Sequence, residues 1–147
     1  MTINTIATPK APAAIGPYSQ AVKAGNLVFI SGQLPIDPET GTMVEGDIKE
    51  KTHRVMQNLR AICEAAGAGL DSVVKTTIYL TDLSQFKAVN ETYGEYFADN
   101  PPARVTVQVA ALPLDSQIEI DAVVYLHLAQ ENCLGLNMEH RTMSLEH

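Results

Sequence analysis

Between Gln117 and Leu128 the chain alternates: Ile118, Ile120, Ala122, Val124 and Leu126 share one face, opposite Glu119, Asp121, Tyr125 and His127. Successive side chains of a strand point to opposite faces, so this pattern demands a strand with one buried face. Arg104 to Ala111 repeats it, with Val105, Val107 and Val109 on one side and Arg104, Thr106 and Gln108 on the other. The linking Leu112-Pro113-Leu114-Asp115-Ser116 is short enough to join the two as an antiparallel hairpin. In that hairpin the valines meet the core, and Arg104, Thr106 and Gln108 share the polar face with Glu119.

Such a sheet needs a cover, and the preceding sequence supplies two helices. Asp47 and Glu50 stand at N-cap and N3 spacing. Ile48, Val55, Met56, Leu59, Ile62, Cys63 and Ala66 follow helical periodicity, and Gly67 sits where a C′ glycine ends a helix. Val73 to Leu80 is a β-branched strand. Asp82 and Gln85 cap a second helix with the face Phe86, Val89, Tyr93 and Phe97, stopped by Asn100-Pro101-Pro102. Asn26 to Ser31 is a short strand after the turn Ala24-Gly25-Asn26, and Pro38-Glu39-Thr40-Gly41 is a turn. The first 20 residues, broken by Pro9, Pro12 and Pro17, read as irregular. The architecture expected is α+β, with two helices packed on one face of an antiparallel or mixed sheet. The opposite face meets either solvent or another copy of the chain. Val123 and Tyr125 on that face favour a partner.

A chain of 147 residues, 46% apolar and 18% charged, is long enough for one domain with a true core and too apolar for disorder. Its longest apolar runs, such as Ala122 to Leu126, fall far short of the ~20 residues that span a bilayer. The N-terminal residues show no secretory signal, and Cys63 and Cys133 supply no disulfide framework; a reduced, cytoplasmic setting is expected. The net charge is −7, the pI about 4.9, and no basic run occurs, which argues against nucleic acid as a partner. Residues 1–129 are read as the domain. Residues 130–147 are read as a tail, accessory or partly tag-derived, since Ser144-Leu145-Glu146-His147 looks like the start of a purification tag.

The usual catalytic motifs are missing. His53, His127, His140 and His147 are scattered without zinc spacing, and His53 reads as a solvated surface residue. No phosphate-binding glycine motif occurs. Ser19, Ser31 and Cys63 have no evident base, and Cys63 reads as buried filler. No metal or cofactor is expected. Two residues remain. Arg104 opens its strand after Pro101-Pro102-Ala103 and offers either a bidentate fork to a carboxylate or a surface or interface salt bridge. Glu119, between two isoleucines, is either a working carboxylate or an edge charge. Within one hairpin, Glu119 pairs near residue 108 or 110, leaving Arg104 roughly 13–20 Å away. One small substrate could touch both only if they come from different subunits.

The residues also carry a resemblance. Ala11-Pro12-Ala13-Ala14-Ile15-Gly16-Pro17-Tyr18-Ser19-Gln20, Ile30-Ser31-Gly32-Gln33-Leu34-Pro35, Lys75 to Leu83, Val89-Asn90, Pro102-Ala103-Arg104-Val105-Thr106-Val107, Leu112-Pro113 and Ile118-Glu119-Ile120 follow in order over roughly residues 5–128. Together they resemble the RidA (YjgF-type) reactive-intermediate deaminases. That resemblance implies a chorismate-mutase-like fold in a homotrimer with three inter-subunit clefts. It also implies cofactor-free hydrolysis of 2-imino acids, or their enamine tautomers, to 2-keto acids and ammonia. By the same resemblance Arg104 holds the substrate carboxylate and Glu119 lies by the attacking water. Tyr18, Ser31, Gly32 and Asn90 line the cleft, with Thr106 contacting ligand through its hydroxyl where the family often has a cysteine. A non-catalytic trimer that binds small carboxylates is the alternative. A ribonuclease or translation inhibitor, a role also attached to the family, conflicts with the charge.

Overall fold

The computed structural model describes residues 3–127 of the 147, so the tail at 130–147, with Cys133, His140 and His147, lies outside the described residues. The strands are β1 (Ile3–Ile6), β2 (Ala21–Ala24), β3 (Leu27–Gln33), β4 (Val73–Leu80), β5 (Ala103–Gln108) and β6 (Ile118–Tyr125). The helices are α1 (Ile48–Ala65) and α2 (Phe86–Tyr96). They form one mixed sheet in the order β1-β2-β3-β6-β4-β5 with both helices against one face, the expected α+β class.

Helix α1 starts as its sequence dictates: the Asp47 carboxylate accepts from the Glu50 N–H at 2.9 Å. Gly67 follows its end at φ 85°. Val55, Met56, Leu59, Ile62 and Cys63 are buried completely or nearly so, each apolar side chain contributing about 1.5–3 kcal/mol against exposure. Cys63 is the filler expected, and burial pushes its thiol up to about 12. Asp82 caps only the single turn Leu83–Gln85, which then leads into α2. Val89, Tyr93 and Phe97 are buried as expected, with Phe86 packed at their margin. His53 is not simply solvated: its Nδ1 lies 2.8 Å from the Tyr96 hydroxyl.

Three expectations are corrected. The first 20 residues are not wholly irregular, because β1 forms within them and pairs with β2, which pairs in turn with β3, both antiparallel. The β5–β6 hairpin does not form. β6 lies between β3 and β4, antiparallel to both, while β5 pairs in parallel with the far side of β4. Buriability explains the order. Ile118, Ile120, Ala122 and Val124 satisfy a central position, whereas Arg104, Thr106 and Gln108 suit only an edge.

The faces of β5 are also inverted. Arg104 stands opposite Thr76, and Thr106 opposite Ile78, both buried on the helix side, so Arg104, Thr106 and Gln108 face the helix layer. Two of them find partners there: Arg104 meets α2, and the Gln108 side chain accepts from the Leu83 N–H at 2.9 Å. Val105 and Val107 therefore face outward, both exposed like Phe29. Among the described residues no helix is long and apolar enough to cross a membrane.

Candidate functional site

The irregular join between β3 and β6 builds the first half of the site. Their register shifts between Ile30 and Gln33, a bulge at Ser31-Gly32 that turns this backbone toward Glu119 on the neighbouring strand. The Ser31 hydroxyl donates to the Ser19 carbonyl, and the Ser31 N–H donates to the Gln20 carbonyl at 3.0 Å. Glu119 lies directly over Gly32: a methyl built on Gly32 would come 2.7 Å from the Glu119 carboxyl carbon and nearer still to Oε1. Only hydrogen fits there. Gly32→Ala must swing the carboxylate aside, and should cost ~10²-fold in any turnover that uses it. Because Glu119 is a flexible, half-buried side chain, the melting temperature should barely move. Melting and steady-state rates measured on the same preparation check both halves of that expectation.

Two amides hold the walls. Buried Gln20 accepts from the Thr8 N–H at 2.7 Å, and its amide donates to the carbonyls of Thr8, Ala11 and Pro12. Buried Asn58 donates to the carbonyls of Leu34 and Ile36 at 3.1 and 3.0 Å. Tyr18 accepts from the Ile15 N–H at 3.3 Å. The result is a cavity of about 630 Å³ lined by Tyr18, Ser31, Gly32 and Glu119, with Ile15 and Leu114 among its other walls. Burial, then the charge of Asp121, raises the Glu119 carboxyl above its ordinary range. Asp121 in turn accepts from the Tyr79 hydroxyl at 3.0 Å.

The second half lies elsewhere. Arg104 Nη1 donates to the Asn90 side-chain carbonyl at 2.7 Å, and its guanidinium lies 5.4 and 5.1 Å from the ring centres of Phe86 and Tyr93. Tyr93 shares a 2.7 Å hydrogen bond with Thr76 beneath it. Asn90 and Arg104 line a cavity of about 380 Å³ with Pro101 and Pro102. The guanidinium is thus oriented by neutral groups. Among the described residues the ion pairs are Lys49–Glu91 and His53–Glu95, and neither involves Arg104. Thr106 lines neither cavity; its hydroxyl is buried two residues along from Arg104 with no hydrogen-bond partner among the described residues.

Six of the seven expected site residues fall into these two groups: Tyr18, Ser31, Gly32 and Glu119 in one, Asn90 and Arg104 in the other. The groups do not meet within one chain. Arg104 is opposite Thr76, Glu119 is opposite Tyr79, and β4 lies between. Two strand spacings and three residues put their α-carbons about 14 Å apart, on opposite faces of the sheet. The separation inferred from a hairpin therefore stands for a different reason. Gln20 and Asn58 were not foreseen as site residues, since most of their partners are backbone groups and no local pattern marks them.

A family model described as Endoribonuclease L-PSP matches residues 8–126, a span that contains both cavities. The chain belongs to this family, the YjgF/RidA group. Its similarity to a RutC family protein of Pyrococcus abyssi is 57% identity over 125 residues, 85% of this chain and 98% of that one. It is 50% identical over 120 residues to the human protein named 2-iminobutanoate/2-iminopropanoate deaminase, covering 82% of this chain and 88% of the human one. The crystal structure of the E. coli YjgF gene product superimposes with a TM-score of 0.81 at 44% identity, over 84% of this chain and 99% of that one. Membership in the YjgF/RidA family accounts for the chorismate-mutase-like layout described above.

Proposed function

We propose that this YjgF/RidA protein hydrolyses 2-imino acids and their enamine tautomers to 2-keto acids and ammonia, at clefts formed between subunits of a homotrimer. The observation that carries the reading is the division of the site into complementary halves. One half has a preoriented cation with no anionic partner among the described residues, and the other has a carboxylate with a raised pKa. Joining the Arg104 edge of one copy to the Glu119 cavity of the next is a heterologous contact, which closes into a ring of three when each step turns by a third of a revolution. The outward apolar residues Phe29, Val105 and Val107 support burial of that face. Light scattering over a concentration series should report about three times 15.9 kDa; a stable monomer at micromolar concentration contradicts the shared cleft.

In the assembled cleft Arg104 grips the α-carboxylate through two charged N–H groups and orients the C=N carbon. Glu119 accepts a proton from water as its oxygen bonds to that carbon, giving a carbinolamine. Starting from the protonated imine, the carboxyl then returns that proton to nitrogen and, as the C–N bond breaks, takes the hydroxyl proton so that C=O forms. Ammonia and the 2-keto acid leave, and the carboxyl proton passes to solvent. Asn90 holds Arg104, and Ser31, Gly32 and Tyr18 shape the Glu119 side. The Thr106 hydroxyl is a spare hydrogen-bonding group on the Arg104 side. These steps consume one water and draw on these side chains alone. The deciding experiment supplies 2-iminopropanoate from an amino-acid oxidase and follows ammonia release with and without the purified protein. Binding of 2-keto acids without accelerated release would favour the non-catalytic carboxylate binder instead.

A further inference from the structure

The loop entering β6 holds a leucine where leucine fits badly. Leu114 has φ 56° and ψ 30°, and Asp115 follows at φ 55°. The left-handed region suits glycine and tolerates asparagine or aspartate, whereas a branched apolar side chain there is strained. Such strain persists only where the surroundings impose it. Here they do: Ser116, almost fully buried, donates its N–H to the Pro113 carbonyl at 3.1 Å and its hydroxyl to the Ile118 carbonyl at 2.7 Å. Folding gains little in return, because Leu114 is 71% exposed. What the strained turn does accomplish is placement. Leu114 lines the cavity that holds Glu119, as does Ile15, 87% exposed and carried by the segment that Gln20 anchors.

We infer that Leu114 is a specificity-determining residue, forming with Ile15 an aliphatic mouth that receives the side chain of the substrate and favours longer aliphatic 2-imino acids over 2-iminopropanoate. This rests on the deaminase reading above. The carboxylate end of the substrate belongs to Arg104 and the reacting carbon to Glu119, so the remaining group points to the apolar wall. A well-packed methylene in an enzyme pocket discriminates by about 10- to 200-fold, and a half-open mouth works at the lower end of that range.

The test compares the full chain with Leu114→Asn and Leu114→Gly, both of which suit the left-handed backbone. Imines are generated in place from alanine and from norvaline, and kcat/KM is measured for each. Both variants should lower the norvaline-to-alanine ratio about tenfold while the melting temperature holds or rises. An unchanged ratio, whether the two rates fall together or neither falls, overturns the inference while leaving the deaminase reading intact. Should the unaltered protein accelerate neither imine, the deaminase reading fails on its own. Calorimetric affinities for 2-oxopentanoate and 2-oxopropanoate then decide the role of Leu114: a ratio that collapses in the variants supports it, and equal ratios or no binding overturn it.

Discussion

Arg104→Ala should lose about 30- to 1,000-fold in kcat/KM on 2-iminopropanoate while the trimer still assembles. A charged hydrogen-bond pair to a carboxylate is worth roughly 2–4 kcal/mol, which sets that range. The guanidinium is already aimed by Asn90 and seated beside Phe86 and Tyr93, so the substrate meets a group that need not be reorganised. Those ring contacts give the arginine a small structural role as well. Exposed cation–π contacts contribute about 0.5–1 kcal/mol, so the variant should melt a few degrees lower. Arg104→Lys keeps the charge and loses the fork, and should fall between the two. Wild-type rates from Arg104→Ala would return the residue to the role of an interface salt bridge.

Glu119→Gln should cost ~10²- to 10⁴-fold, because it removes the group proposed to accept the proton from water. It leaves the shape of the cavity almost unchanged and takes away a half-buried negative charge beside Asp121. The sign of the stability effect follows from linkage. Burial and Asp121 raise the folded-state pKa of Glu119, so its stabilising contribution is full below the unfolded value. That contribution is lost as pH rises through the folded value. Near neutrality and above, the glutamine variant should therefore be at least as stable as the unaltered protein. The same shift should move the acid limb of the rate profile above the ordinary glutamate value of about 4.3. Asp121→Asn should move that limb back down, and a limb that ignores Asp121 would detach the charge from catalysis.

The residues that make and end the elements were legible because their causes are local. Asp47 caps α1 through the N–H of Glu50, three positions along. The period of Ile118 to Val124 identifies the buried face of β6, and every one of those residues is buried. The motifs from Ala11 to Ile120 carried family membership, since order and spacing survive without any knowledge of strand pairing. The N-terminal strands were hidden by the prolines between them. β1 is held by a partner about 20 residues away, not by its own pattern.

The sequence by itself determined the two helices and the strands β3 to β6, the family they belong to, and that Arg104 and Glu119 are the charged residues worth pursuing. Only the tertiary structure decided the neighbours. Alternation shows that a strand has two faces, but it does not say which face meets the core. The alternating Val105, Val107 and Val109 made the wrong face of β5 look buried. Arg104 turned inward because α2 presents it with an amide carbonyl and two aromatic rings, while β6 took the central place that β5 could not fill. Those choices split the site between two cavities on opposite sides of one sheet. They depend on contacts between segments far apart along the chain, whose energies appear only once the layers have packed.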